Sequence, residues 1–154
     1  VEVMGRTRGF LASTIGLTVG AEIILVPEEK YEREEIFRTI KENSGKGKKS
    51  GIIVATEGIG DTRKLAREIE KNTGAEVRLS ILGYAQRGGN PTARSRLLAS
   101  LFADKAVELL SEGQGSRIVG LQDGRITSIE LKKSCTTEKT LDLNLLKLAR
   151  VLAT

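Results

Sequence analysis

The sequence predicts an α/β fold: a Rossmann-like three-layer sandwich with a mainly parallel sheet, followed by a C-terminal β-hairpin and helix. Apolar runs rich in valine and isoleucine alternate with segments of helical periodicity along most of the 154 residues. Strands that alternate with helices favour crossover units and parallel pairing. Towards the C-terminus, Asp123-Gly124 lies between two apolar runs, a pattern typical of a hairpin turn. The length suits one globular domain, so a single domain over residues 1–154 is predicted.

The elements of the sheet are predicted first. Four short runs of β-branched and aliphatic residues read as strands. They span Val1–Met4, Glu22–Val26, Gly51–Thr56 and Glu76–Leu82. Helical periodicity predicts three helices between them, at Gly9–Val19, Arg33–Asn43 and Arg63–Thr73. Asp61 or Thr62 can cap the third helix, and Gly74 follows its last turn, where a glycine commonly ends a helix.

The last third of the chain predicts a long helix and a hairpin. Asn90 is the expected N-cap of the helix, Pro91 its first residue, and Gly113 its end. The hairpin strands are predicted on either side of Gln122-Asp123-Gly124. After the hairpin, a polar segment predicts a loop and a leucine pattern predicts a closing helix. These elements are the strands Arg117–Leu121 and Arg125–Leu131, the loop Lys132–Lys139 and the helix Asp142–Leu152.

Composition narrows the classes of function. The net charge is +5, from 25 lysines and arginines against 20 acidic residues. This balance fits nucleic acid, an anionic membrane or a phosphorylated small molecule as a partner. Aromatic residues make up only 3%, which disfavours the stacking surfaces of single-strand binders. With no histidine and only Cys135, the chain has neither an internal disulfide nor a zinc or Cys–His site.

The chain shows no targeting or membrane signal. No window approaches the roughly 20 apolar residues of a membrane span, and the first residues do not form a signal peptide. We therefore expect a cytoplasmic protein, consistent with its single cysteine. Because the chain opens at Val1 inside an apolar run, it is expected to be a piece of a longer protein.

Polar residues follow several predicted strands, where ligands of α/β proteins bind. Gly5 and Arg6 follow the first strand, Glu57 the third, and a cluster from Tyr84 to Arg87 the fourth. Arg87 then precedes Gly88-Gly89 and a predicted helix start, a combination suited to phosphate. The alternative is an ordinary turn before a helix. Glu57 can equally pair with a basic residue, and Arg6 can be a solvated charge.

Six segments of the chain carry motifs in a recognisable order and spacing. They are Val-Glu-Val-Met-Gly-Arg at 1–6, Gly-Ala-Glu at 20–22, Val-Pro-Glu at 26–28, Lys-Gly-Lys-Lys at 46–49, Thr-Glu at 56–57 and Leu-Gly-Tyr-Ala-Gln-Arg-Gly-Gly-Asn-Pro-Thr at 82–92. Together they resemble bacterial 6-phosphofructokinase. The Met-Gly-Arg and Gln-Arg-Gly-Gly elements together are highly specific for this family, and the resemblance continues to Val119-Gly120.

The resemblance implies roles for individual positions. In the family's pattern, Arg6 faces the transferring phosphoryl group and Arg78 reaches into the sugar site of a neighbouring subunit. The other implied fructose 6-phosphate residues are Met4, Gly5, Glu57, Tyr84 and Arg87. The implied allosteric nucleotide site consists of Gly20, Glu22, Lys46 and Lys48. Tyr84 stands where most relatives have histidine, so its hydroxyl would replace an imidazole at the sugar phosphate.

The resemblance also implies an activity for the parent protein. A 6-phosphofructokinase of glycolysis transfers a phosphoryl group from ATP or pyrophosphate to the 1-hydroxyl of fructose 6-phosphate, with Mg²⁺ accompanying the nucleotide. The family's phosphoryl-donor loop and catalytic base belong to an N-terminal half that this sequence does not contain. We therefore expect an inactive chain that binds sugar phosphate, takes an ADP-type effector and forms a homo-oligomer. The alternatives are a non-catalytic regulatory module and a basic nucleic-acid binder.

Overall fold

The computed structural model describes residues 1–153, whose contacts form two compact units. The first comprises Val1–Gly88 together with the segment that begins at Leu141, and the second comprises Gly89–Thr140. The prediction of a single domain stays a prediction. None of the described helices has the length and apolar character that crossing a bilayer requires.

The first unit is built on a parallel sheet of three strands. These are β1 (Glu2–Val3), β2 (Ile23–Leu25) and β3 (Ile53–Thr56), with β3 in the centre. Val3 lies opposite Thr56 and Ile24 opposite Val54. The helices of this unit are α1 (Phe10–Thr18), α2 (Arg33–Gly45), α3 (Thr62–Thr73) and α6 (Asn144–Leu152).

Helices cover both faces of this sheet. On one face, Val3, Ile24 and Val54 pack against Ala12 of α1 and Leu146 of α6. On the other face, the alternate strand residues pack against α2 and α3. This second cluster contains Leu25, Ala55, Ile36, Leu65 and Ile69. The sheet therefore lies between two helical layers, which confirms the predicted three-layer α/β arrangement.

The predicted strand at Glu76–Leu82 is wrong over most of its length. The segment makes only one parallel bridge, between Ile81 and Glu2. Glu2 N donates to Ser80 O (2.8 Å) and Leu82 N to Glu2 O (3.2 Å). Because β1 has only two residues, it offers too short a partner for a longer ladder. The segment still runs beside β1 and continues into a 3₁₀ helix at Gly83–Arg87.

The predicted helix caps are correct for α3 and wrong at the start of the long helix that follows. At the start of α3, the Asp61 carboxylate accepts from Lys64 N (2.9 Å), and Gly74 ends the helix with φ of 73°. Both features confirm the prediction. The long helix α4 (Ala93–Ser111) is capped by Thr92, whose Oγ1 accepts from Ser95 N (3.2 Å). Asn90 as its cap and Pro91 as its first residue were wrong, because the helix begins at Ala93, and Thr92 directly before it supplies the capping oxygen.

The second unit contains α4 and a hairpin of β4 (Arg117–Gln122) and β5 (Arg125–Glu130). Gln122 pairs with Arg125, and the two turn residues Asp123 and Gly124 have φ of 50° and 78°. Positive φ at both positions defines a type I′ turn, as the Asp-Gly pair predicts.

The predicted loop at Lys132–Lys139 is partly wrong. Residues Leu131–Thr136 form a short helix, α5, because Leu131, Lys132 and Lys133 all favour the helical conformation. The predicted closing helix is confirmed as α6, two residues shorter at its start, where Asp142 Oδ1 accepts from Asn144 N (2.9 Å).

Candidate functional site

The candidate site lies at the carboxyl ends of β1 and β3. The chain leaves β1 for α1 on one face of the sheet and leaves β3 for α3 on the other. Connections that diverge in this way open a crevice between two neighbouring strands, the place where α/β proteins bind ligands. The loop after β1 carries Met4, Gly5 and Arg6, and the 3₁₀ helix Glu57–Ile59 follows β3.

The Glu57 carboxylate joins the two loops. Its Oε1 accepts hydrogen bonds from Gly5 N (3.2 Å) and Arg6 N (2.7 Å). Bonds from amides to an ionised carboxylate are stronger than neutral ones. The structure thus brings together residues that the sequence placed after two different strands, with Glu57 holding the main chain of the loop that carries Arg6.

The backbone at Arg6 is strained. Arg8 N donates to Gly5 O (2.9 Å), which closes a turn around Arg6 and Thr7, and Arg6 has φ of 50°. A left-handed arginine is uncommon, and such residues cluster at functional sites. The neighbours leave no room for side chains, since a Cβ at Gly5 would lie 2.3 Å from Arg8 O and one at Gly58 1.9 Å from Arg6 O.

Gln86 ties a third segment to this cluster. Its Oε1 accepts from Met4 N (3.2 Å), and its Nε2 donates to Gly83 O (3.1 Å). The 3₁₀ helix Gly83–Arg87 is thereby fixed to the end of β1. The sequence placed Gln86 in a polar cluster without giving it a role, because a hydrogen bond to a main-chain amide leaves no pattern in the sequence.

Tyr84 and Arg87 project from the same 3₁₀ helix. The Arg87 guanidinium carbon lies 5.4 Å from the centre of the Tyr84 ring, within the range of a cation–π contact. Tyr84 is 79% exposed and Arg87 is exposed as well, so both side chains are accessible to a ligand. A phosphate role for Arg87 together with the N-terminus of α4 stays a prediction, because the helix belongs to the second unit.

Arg78 is not part of this cluster. It precedes the bridge at Ile81 and so lies towards the amino end of β1, whereas the cluster lies beyond the carboxyl end. Its side chain is exposed and forms an ion pair with Glu76 (2.9 Å). The implied role of Arg78 in a neighbouring subunit stays a prediction.

The implied effector residues also lie in the first unit. Glu22 Oε1 forms an ion pair with Lys48 Nζ (2.9 Å), and Glu22 Oε2 accepts from Ile52 N. Lys48 Nζ also donates to Ala153 O (3.2 Å). Partial burial acts to raise the pKa of Glu22, but the hydrogen bonds from Lys48 and Ile52 outweigh it and leave the pKa below its usual value.

A cavity of about 430 Å³ adjoins these residues. It runs along β2 between α2 and α6, and Glu22 and Lys46 both line it. Gly20 follows α1 with φ of 67°. The structure therefore brings Glu22 and Lys48 into contact and places Glu22 and Lys46 on one cavity.

Comparison with known proteins identifies the family. A family model described as phosphofructokinase matches residues 1–110. The chain belongs to the phosphofructokinase family. One curated phosphofructokinase relative, the ATP-dependent 6-phosphofructokinase 1 of Clostridium perfringens, is 43% identical over 152 residues, which are 99% of this chain and 48% of the relative. The ATP-dependent 6-phosphofructokinase of Bacillus thuringiensis is 40% identical over 153 residues, with the same two coverages.

The phosphofructokinase fold is also found among solved structures. The phosphofructokinase from Saccharomyces cerevisiae matches with a TM-score of 0.75 and 28% identity, covering 99% of this chain and 22% of that chain. The chain spans about half the length of the curated phosphofructokinases it matches.

Among residues 1–153, no three acidic, histidine or cysteine side chains come together in a group that could hold a metal ion. At the site itself, Oε1 of Glu57 binds main-chain amides.

Proposed function

We propose that this chain supplies the fructose 6-phosphate-binding half of a 6-phosphofructokinase. The observation that carries the proposal is the cluster at the carboxyl ends of β1 and β3, in which Glu57 holds Gly5 and Arg6. The 3₁₀ helix Gly83–Arg87 is fixed to the carboxyl end of β1, because Gln86 Oε1 accepts from Met4 N. The cluster thus combines a carboxylate for sugar hydroxyls with arginines for phosphates.

Each side chain has a chemical part in this proposal. Arg87 binds the 6-phosphate through its planar fork of donors, and Tyr84 adds a hydroxyl donor beside it. Glu57 Oε2 accepts from the sugar hydroxyls, while Met4 and Gly5 line the pocket. Arg6 faces the phosphoryl group as it transfers to the 1-hydroxyl. Catalysis of phosphoryl transfer rests on such positioning and on neutralising charge.

The phosphoryl donor and its metal come from outside these residues. Both curated relatives are named ATP-dependent, which favours ATP over pyrophosphate. Mg²⁺ would accompany the nucleotide. We expect the chain alone to form no fructose 1,6-bisphosphate.

Regulation and assembly complete the proposal. Glu22, Lys46, Lys48 and Gly20 form the site of an ADP-type effector, in which the lysines bind phosphates. Arg78 completes the sugar site of a second subunit, so the protein is a homo-oligomer. It acts in glycolysis, in the cytoplasm. The exposed position of the Arg78 side chain supports a role across an interface.

Calorimetric titration of the chain with fructose 6-phosphate tests this proposal. We expect binding that Arg87→Ala weakens by about tenfold or more, because a hydrogen bond to a charged group contributes about 1.5–3 kcal/mol. Arg63→Ala, an exposed arginine on α3, is the control and should leave the affinity unchanged. An unchanged affinity in Arg87→Ala, or product formation by the pure chain, would contradict the assignment.

A further inference from the structure

The segment Val26–Glu28 packs against the loop that carries Arg6. Both oxygens of the Glu28 carboxylate accept from Gly9 N, each at 3.0 Å. Val26 lies directly under Gly9, where an added Cβ would be 2.4 Å from the valine side chain. Pro27 lies beside Gly58, with its Cγ 3.0 Å from the position of a Cβ there. All three residues therefore contact either the Arg6 loop or the glycine beneath it.

Two carboxylates hold the loop at its two ends. Glu57 binds Gly5 N and Arg6 N at the amino end, and Glu28 binds Gly9 N at the carboxyl end. Between them, the Gly5–Arg8 hydrogen bond closes the turn in which Arg6 has positive φ. A strained residue keeps its conformation only where its surroundings fix it. Loss of either end would let the turn relax and the Arg6 side chain move.

We infer that Glu28 is a positioning residue of the sugar-phosphate site. It touches no ligand itself and acts through Gly9, which ends the Arg6 loop as the N-cap of α1. Its negative charge at the start of α1 also suits the positive end of the helix. The effect of Glu28 on ligand binding rests on the proposed function. Its effect on the conformation of the Gly5–Gly9 loop does not.

Glu28→Ala and Glu28→Gln test the inference by two readouts. The first is hydrogen exchange of individual amides, measured by NMR without ligand. In Glu28→Ala, the amides of Gly5, Arg6 and Gly9 should exchange about tenfold faster or more, while those of β3 change little. Glu28→Gln retains one acceptor oxygen and should fall between Glu28→Ala and the unmodified chain.

The second readout is calorimetric titration with fructose 6-phosphate. We expect Glu28→Ala to weaken binding by about tenfold and Glu28→Gln by less. Glu29→Gln is the matched control: Glu29 is the next residue, but its carboxylate pairs with Arg150 on α6. This control should change neither the loop amides nor the affinity.

The two readouts separate the inference from the proposed function. If the unmodified chain binds no fructose 6-phosphate, the proposed function fails, and the exchange of the loop amides still decides the role of Glu28. If loop exchange is unchanged in Glu28→Ala, or rises equally in β3, the inference is overturned. Equal effects in Glu28 and Glu29 variants would overturn it as well.

Discussion

At the scale of single residues, the sequence pointed to a candidate site but not to its internal contacts. Arg6 and Glu57 could be placed at one edge because the carboxyl ends of parallel strands meet there. That Glu57 would bind two main-chain amides, and that Gly58 would lie against Arg6 O, depend on backbone conformation. Residue types alone do not encode these contacts, and the hydrogen bonds of Glu28 and Gln86 to main-chain amides were missed for the same reason.

The ion pair of Glu22 makes the free energy of unfolding depend on pH. The pKa of Glu22 is lowered from its ordinary value of 4.5, although partial burial opposes the shift, because Lys48 and Ile52 N stabilise the carboxylate. A depressed pKa stabilises the folded state above the unfolded pKa and loses that contribution as the pH falls. We expect unfolding free energy to fall between about pH 4.5 and the lowered value, and Glu22→Gln to remove this component.

Denaturant unfolding across pH 3–7 measures this effect. Glu76→Gln is the control, because the Glu76–Arg78 pair is highly exposed and exposed ion pairs contribute little. If Glu22→Gln and the unmodified chain show parallel pH profiles, the Lys48–Glu22 contact does not stabilise the fold.

At the scale of elements, the predictions from short sequence patterns were correct where the structure of the element depends only on neighbouring residues. Asp123-Gly124 predicted its turn because the two residues themselves adopt positive φ. The prediction of a strand at Glu76–Leu82 was wrong over most of its length because its pairing depends on β1, which has only two residues. The prediction of a loop at Lys132–Lys139 was partly wrong because it rested on polar composition and overlooked the helical preference of the first residues.

Helix α6 provides a matched pair of leucines. Leu146 is 1% exposed in the core under the sheet, whereas Leu148 on the same helix is 46% exposed. Leu146→Ala should lower the unfolding free energy by about 2–5 kcal/mol because it leaves a cavity. Leu148→Ala should cost about 1 kcal/mol or less. Chemical denaturation of both variants checks this, and similar losses would mean that α6 is not docked as described.

At the scale of the whole molecule, the sequence predicted the α/β class but not the division of contacts into two units. Among the described residues, the first unit contains nearly all of the buried hydrophobic side chains, and the second unit contributes only Leu109. The sequence predicted α4 as a helix but could not show that several of its apolar side chains would be exposed, such as Leu97 at 59% and Leu110 at 67%, because burial depends on distant parts of the chain.

This imbalance predicts unequal local stability. A unit with few buried apolar contacts opens at a lower free energy than one with a full core. We expect amides of α4 to exchange with solvent at least about 100-fold faster than those of β3. Hydrogen exchange measured by mass spectrometry on the isolated chain tests this. Equal protection in α4 and β3 would show that the second unit is stabilised by more than its described contacts.

Glu57 holds the main chain of the Arg6 turn, and the proposed function also gives it a contact with a sugar hydroxyl. One substitution there would alter two equilibria, the conformation of the turn and the proposed ligand contact. A loss of affinity in Glu57→Ala would therefore not measure the sugar contact, since part of the loss is the free energy of reordering the turn. Only a double-mutant cycle that pairs Glu57 with a deoxy sugar phosphate isolates the ligand contact from the turn.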